Sequence, residues 1–396
     1  MLDFDQFHRD TLPALLAGGR SALLTGRSLP AMGIALEDGG DGYTYRADGS
    51  DVTIETGTDG ASFSVTLTHR DWSGLVNDLE SVPAILYGGR LVAHRGDTMQ
   101  FVRWEPALRA LYTGRPLYQP GRFELRAESG EPLDPLAVFD LQSGDDDMRG
   151  FLDAAGYLLV KGVFDGDEID AFRRGAAELA GAAVEGDQLS WWGRTDRGEP
   201  VLCRCINAGT LSAFSGLYED ERIRRLAGLL PEGMLHPAPA DTDGVTVVYK
   251  NPGVAEGLAD LPWHRDCGMG GHAVMCPTFV FSIYLYDATR EQGPLQFLPG
   301  SHRFAYGFAD AGEADMPGSV TVPATAGDVT IHVGDVMHAA PPPTAQRGPF
   351  RQSVLLSYHP RFTHHRGERH YNDVLLGAED GQVSHLRALV GEDQAD

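Results

Sequence analysis

From residue 245 onward the sequence is a succession of short apolar runs cut by Gly and Pro, and this narrows the available folds more than any other feature. Val245-Thr246-Val247-Val248-Tyr249-Lys250 opens the series; Val329-Thr330-Ile331-His332-Val333 and the run from Arg351 to Tyr358 continue it. Short strands with such turns build a sandwich or a barrel. Ahead of them, Gly156-Tyr157-Leu158-Leu159-Val160 reads as a short buried strand. Asp165 and Glu168 then form a D-x-x-E capping box, and Ile169, Phe172, Ala176 and Leu179 follow on one helical face.

A composition shift divides the chain. Pro116, Pro120, Pro132 and Pro135, then Gly144-Asp145-Asp146-Asp147, mark a linker-like stretch. The expected organisation is an α+β domain over residues 1–118, a linker over 119–148 and a second domain over 149–396. The chain has 396 residues, 42% of them apolar, enough to bury more than one core. In the first unit, residues 62–67 alternate: Phe63, Val65 and Leu67 face one way, Ser62, Ser64 and Thr66 the other. A helix is expected with Trp72, Leu75, Val76 and Leu79 on one face, then a short strand Leu91-Val92-Ala93 after Gly88-Gly89. A last helix carries Trp104, Leu108 and Leu111. No metal-type constellation stands out here, so this unit is expected to fold independently and to supply no metal ligand.

The net charge is −24, from 32 basic and 56 acidic residues. Such a surface repels phosphate backbones and anionic headgroups, so neither nucleic acid nor a membrane is an expected partner. The most apolar stretch, residues 274–286, contains Pro277 and is too short to span a bilayer. Residues 1–5 lack the basic and apolar regions of a signal peptide. Cys203, Cys205, Cys267 and Cys276 form no disulfide framework. The expectation is a cytoplasmic protein with reduced thiols that takes a small-molecule substrate. The oligomeric state is not fixed by the sequence, and a homodimer is compatible with it.

The chemistry concentrates in Trp263-His264-Arg265-Asp266. His and Asp two apart on a strand share a face. With a distant His they form the facial triad of non-haem Fe(II) oxygenases, which leaves adjacent iron positions open for co-substrate and O2. Two histidines compete for the third place. His332 precedes the Gly334-Asp335 turn, and His338 is expected at the end of the strand after it. His338 is preferred because the turn brings it nearest the Arg351 strand. Arg351 and Ser353 share a strand face, so a guanidinium fork and a hydroxyl can hold the distal carboxylate of 2-oxoglutarate. Arg347, beside Gly348-Pro349 in an expected loop, is the rival anchor.

Between the candidate ligands runs Gln292-Gly293-Pro294-Leu295-Gln296-Phe297-Leu298-Pro299-Gly300-Ser301-His302-Arg303. With the H-x-D, His338 and the Gly156-Tyr157 opening, this order resembles the phytanoyl-CoA dioxygenase family over about residues 150–362. The resemblance implies a double-stranded β-helix (jelly-roll) core with flanking helices. It implies His264, Asp266 and His338 as catalytic iron ligands, Arg351 as the 2-oxoglutarate anchor and Lys250 as a further co-substrate contact. His302 is expected to order a turn. The family often shows a polar residue near position 340; Ala340 departs from this, and Ser353 is expected to take over. Residues 30–115 resemble a sterol-carrier-protein-like α+β domain through Thr68-His69-Arg70-Asp71-Trp72, Ile85-Leu86-Tyr87-Gly88-Gly89-Arg90-Leu91 and Arg95-Gly96-Asp97. That family encloses an apolar tunnel for lipid within a five-stranded sheet.

The retained carboxylate Asp266 argues for hydroxylation rather than halogenation. The reaction implied is oxidation of a C–H bond of a small organic, hydrophobic or carrier-bound, metabolite, with 2-oxoglutarate leaving as succinate and CO2. Trp191, Trp192, Arg194, Arg204 and, in the Gly-rich loop past the H-x-D, His272 are candidate substrate contacts. A zinc hydrolase using the same triad and a catalytically idle lipid-binding protein are the competing classes; only the oxygenase consumes 2-oxoglutarate.

Overall fold

Two hydrophobic cores organise the chain. The computed structural model describes residues 2–49, 51–187, 189–236, 244–256, 261–266, 278–306 and 316–360. The first core lies under a five-stranded sheet of β1 (Leu29–Leu36), β2 (Tyr43–Asp48), β3 (Asp51–Thr56), β4 (Phe63–Leu67) and β5 (Ala93–Arg95). The strand order is β3-β2-β1-β4-β5, and β1 and β4 are parallel. β4 buries Phe63, Val65 and Leu67 and half-buries Ser64 and Thr66, as its alternation requires. Helix Met99–Thr113 lays Trp104, Leu108 and Leu111 into this core, where Tyr45, Trp72 and Phe101 are also fully buried.

Two local expectations change. The helix carrying Trp72 ends at Val76, not Leu79, because Asp78 turns into the left-handed region with φ of 55°. The strand expected at Leu91-Val92-Ala93 is instead Ala93–Arg95, an exposed edge set by its pairing with β4 rather than by apolarity. The proline-rich stretch is packed. Leu117 bridges Ala305, the Tyr118 hydroxyl donates to the Pro299 carbonyl at 3.1 Å, and Leu125 joins the second core. Asp145, Asp146 and Asp147 form the first turn of helix Asp145–Ala155, where negative charge suits the helix dipole.

The second core lies against a ten-stranded mixed sheet. Its strands are β6 (Phe139–Asp140), β7 (Tyr157–Lys161), β8 (Ser190–Thr195), β9 (Pro200–Cys205), β10 (Met234–Leu235), β11 (Val245–Tyr249), β12 (Val254–Glu256), β14 (Phe279–Tyr284), β17 (Val329–Val333) and β19 (Gln352–Pro360). The order is β12-β8-β9-β11-β19-β14-β17-β7-β6, with β10 paired to β19. A smaller sheet runs β13-β18-β15-β16, from β13 (Leu261–His264), β18 (His338–Ala340), β15 (Leu295–Phe297) and β16 (Val320–Val322). Helix Gly166–Ala182 packs on this core behind the reciprocal Asp165–Glu168 cap. The whole is an α+β fold of mixed sheets. No helix among the described residues is long and apolar enough to cross a membrane.

Candidate metal centre

The cavity lies between the large and the small sheet. Val280, Ser282, His332 and Leu355 belong to the large sheet; Leu295, Ala340, His264 and His338 belong to the small one. His264 and His338 are direct cross-strand partners on β13 and β18, with ring centroids 4.2 Å apart. β13 ends at His264, so Asp266 comes from just beyond the strand and not from its next inward position. Its backbone N–H donates to the Gly334 carbonyl at 2.8 Å, which fixes that bend. His338 opens β18 rather than closing it.

One donor atom from each of His264, Asp266 and His338 lies within 4.8 Å of the other two. Asp266 Oδ1 is 3.4 Å from His264 Nε2 and 3.6 Å from His338 Nε2. His338 Nδ1 donates to the Val336 carbonyl at 3.0 Å, which leaves Nε2 as the lone-pair nitrogen facing the cluster. Burial, then the neighbouring His264, push His338 well below its ordinary value. Burial alone would raise Asp266, but His338 and the hydrogen bonds of His264 and His332 hold it well below the carboxylate range. A neutral imidazole and an ionised carboxylate are the forms that bind a metal. The residues therefore fit a ferrous ion held on one face. His332 Nε2 meets the other oxygen, Asp266 Oδ2, at 3.1 Å, so it orients the carboxylate from behind.

On the large sheet, Arg204, Val248 and Ser353 stand abreast on β9, β11 and β19, and all three line the cavity with Arg351. Arg351 is buried and donates to the Tyr284 hydroxyl, a partner with no signal in the local sequence. Arg347 is exposed. Ser353 is buried, and its Oγ has no hydrogen-bond partner among the described residues. Lys250 is also buried, but its ammonium donates to the Ala340 carbonyl and it does not line the cavity.

The other candidates divide. Trp191 lines the cavity, with the Arg204 guanidinium 4.8 Å over its ring. Trp192 instead donates to Ser190 Oγ at 2.8 Å, and Arg194 pairs with Glu185; neither faces the cavity. Trp191 and Trp192 are neighbours on β8 and point to opposite faces, as alternation along a strand requires. His272 lies outside the described residues. His302 Nε2 meets the Asp153 carbonyl at 3.1 Å, away from the metal cluster.

The pattern of the phytanoyl-CoA dioxygenase (PhyH) family matches residues 152–351, half of the chain, from the helix before β7 to Arg351. The chain belongs to this family. Solved structures with similarity include AviO1 from Streptomyces viridochromogenes Tue57, at 24% identity and a TM-score of 0.43, covering 56% of this chain and 97% of that one. The carbocyclase SnoK of nogalamycin biosynthesis is 20% identical with a TM-score of 0.44, covering 62% of this chain and 94% of that one. EvdO2 from Micromonospora carbonacea var. aurantiaca, complexed with 2-oxoglutarate, is 17% identical with a TM-score of 0.41, covering 58% and 96%. No curated protein sequence matches the chain. A member of this dioxygenase family with a cluster of two buried histidines and a half-buried carboxylate is a non-haem oxygenase that uses Fe(II) and 2-oxoglutarate on a small substrate.

Proposed function

We propose that this dioxygenase is a cytoplasmic hydroxylase of a small organic anion. His264, Asp266 and His338 hold Fe(II), and Arg351 with Ser353 holds the distal carboxylate of 2-oxoglutarate. The bound iron supplies oxidation of a C–H bond, coupled to conversion of 2-oxoglutarate and O2 to succinate and CO2. The chain's own part is to present the co-substrate end-on, orient the carbon to be oxidised and keep water out.

The observation that carries this reading is a buried guanidinium just ahead of β19 and, two positions on, a buried, unpartnered hydroxyl on that strand, both lining the cavity with the cluster. A fork plus a hydroxyl matches a carboxylate. Charge then speaks to the substrate. Ferrous iron, Asp266, the dianionic co-substrate and Arg351 cancel formally. Arg204 is left over, and among the described residues it makes no ion pair; its Nε is buried without a hydrogen-bond partner. A substrate with one negative charge and an apolar body against Trp191 restores the balance.

Two finer readings of the fold go with this. The two facing sheets support a double-stranded β-helix core. The five-stranded N-terminal sheet supports a sterol-carrier-protein-like domain, and an interior filled by Tyr45, Trp72, Phe101 and Trp104 supports packing rather than lipid carriage as its role.

The test is a 2-oxoglutarate titration by succinate release. Losing a buried charge partner costs about 2–5 kcal/mol, or roughly 30-fold to several-thousand-fold in affinity. Arg351→Ala is expected to raise the co-substrate requirement by at least tens of fold with iron binding kept, and Arg351→Lys to fall between. If Arg347→Ala shows the large shift and Arg351→Ala does not, the anchor assignment fails.

A further inference from the structure

Arg265 stands between two candidate iron ligands, and its side chain leaves the cavity for the N-terminal unit. Its Nη2 donates to Glu105 Oε1 at 2.9 Å, across 160 residues of sequence, and its Nη1 to Asp335 Oδ1 at 3.1 Å. Glu105 lies on helix Met99–Thr113 and is buried, as is Arg265. One helical turn on, Arg109 Nη2 approaches Asp335 Oδ2 at 3.6 Å and grips Asp78 with two bonds of 2.7 and 3.1 Å. Arg115 closes the ring, 3.2 Å from Asp335 and 3.4 Å from Asp78.

The two ends of this network coincide with the two ligand-bearing segments. Arg265 is flanked by His264 and Asp266. Asp335 sits in the turn between β17 and β18, three residues before His338. The same turn offers the Gly334 carbonyl to the Asp266 N–H. Helix Met99–Thr113 therefore touches both segments through the buried side chains of Glu105 and Arg109 and no ligand atom. A guanidinium with a carboxylate on each arm has little freedom of orientation.

We infer that Glu105 and Arg265 are positioning residues, through which helix Met99–Thr113 sets the spacing of the iron ligands. The inference rests on the ligand assignment above. With Glu105 removed, Arg265 loses one of its two anchors, and the His264–Asp266 segment gains freedom relative to His338. Supporting groups behind a metal site typically account for about 10–100-fold in metal affinity.

The experiment uses the full chain, prepared free of metal and titrated anaerobically with Fe(II), and in parallel with Co(II) to read the visible d–d bands. Glu105→Gln keeps the shape and exchanges the carboxyl group for an amide; Arg265→Lys keeps the charge and removes the fork. Both are expected to weaken metal binding about tenfold or more and to alter the Co(II) bands. Either variant alone decides the matter should the other fail to fold. Ile34→Val or Ile34→Ala, whichever matches the fall in melting temperature, perturbs the N-terminal core away from the network; it is expected to bind metal like wild type. Unchanged affinity and bands in Glu105→Gln or Arg265→Lys overturn the inference. Equal metal loss in the matched Ile34 variant overturns it as well, since that reports general loosening. His338→Ala separates the two levels: if it retains metal with unaltered bands, the ligand assignment itself is wrong.

Discussion

The ion network beneath helix Met99–Thr113 and the charged wall of the cavity use the same residue types, yet among the described residues only the first is balanced. In the network, Glu105, Asp335 and Asp78 face Arg265, Arg109 and Arg115, one carboxylate for each guanidinium. In the cavity, Arg204 makes no ion pair among the described residues, and the one carboxylate that lines the cavity among them, Asp266, already serves three histidines. Burying a charge is costly unless it is paired. A chain that pairs its charges in one place and leaves a surplus in another has assigned the first to its own architecture and the second to a ligand.

The comparison is broken most severely at the cluster itself. His264→Ala, Asp266→Ala and His338→Ala are each expected to abolish succinate release and metal binding while the chain stays folded, since removing any of three ligands opens the iron face. His332→Ala is expected to keep most metal affinity. A His332→Ala protein that loses metal, beside a His338→Ala protein that keeps it, exchanges their roles. Next in size is a pair of arginines. Arg109→Ala strips Asp78 and Asp335 of a buried partner and is expected to cost about 3–5 kcal/mol in urea unfolding. Arg204→Ala, which removes a charge with no ion pair among the described residues, is expected to shift stability by no more than about 0.5 kcal/mol. Similar losses in both would erase the distinction.

Acid sharpens the comparison through His8. This buried ring donates from Nδ1 to the Phe4 carbonyl and accepts at Nε2 from the Tyr45 hydroxyl, both at 2.7 Å. Burial lowers its pKa from 6.5 to about 4. The unfolded chain takes up the proton first, so the contribution is whole above 6.5 and drains as pH falls toward 4. Up to about 3 kcal/mol goes in that window. His8→Gln is expected to flatten this part of the stability–pH curve; an unchanged slope would place the acid sensitivity elsewhere. The smallest effect is expected from Arg194→Ala, whose partly exposed pair with Glu185 lies outside the cavity. It should cost less than about 1 kcal/mol and leave turnover alone.

Local pattern made much of this architecture readable. Alternation gave Phe63–Leu67, the D-x-x-E box gave the start of helix Gly166–Ala182, and motif order singled out the three residues that meet across β13 and β18. What escaped was contact over long distance. Glu105 sits beside Pro106 in a helix and carries no sign that it will meet a guanidinium 160 residues later. Arg265 read as the spacer of an H-x-D, and strand parity hid how Asp266 reaches the cluster, because β13 stops one residue after Trp263. The prolines of residues 116–135 suggested a linker but said nothing of whether that stretch packs. Trp191 and Trp192 are chemically identical and adjacent; alternation puts them on opposite faces, and only the assembled sheets decide which face is the cavity.

The cross-strand meeting of His264 with His338 makes the length of a turn part of the active chemistry. Residues 334–337 are all that separates the end of β17 from His338. A strand displaced by one residue turns its side chains to the opposite face. One extra residue inserted between Gly334 and His338 would leave all three ligands in the sequence and aim one of them away from the others. In this enzyme lineage, deletions and insertions in that turn should be as intolerable as replacing the histidine itself.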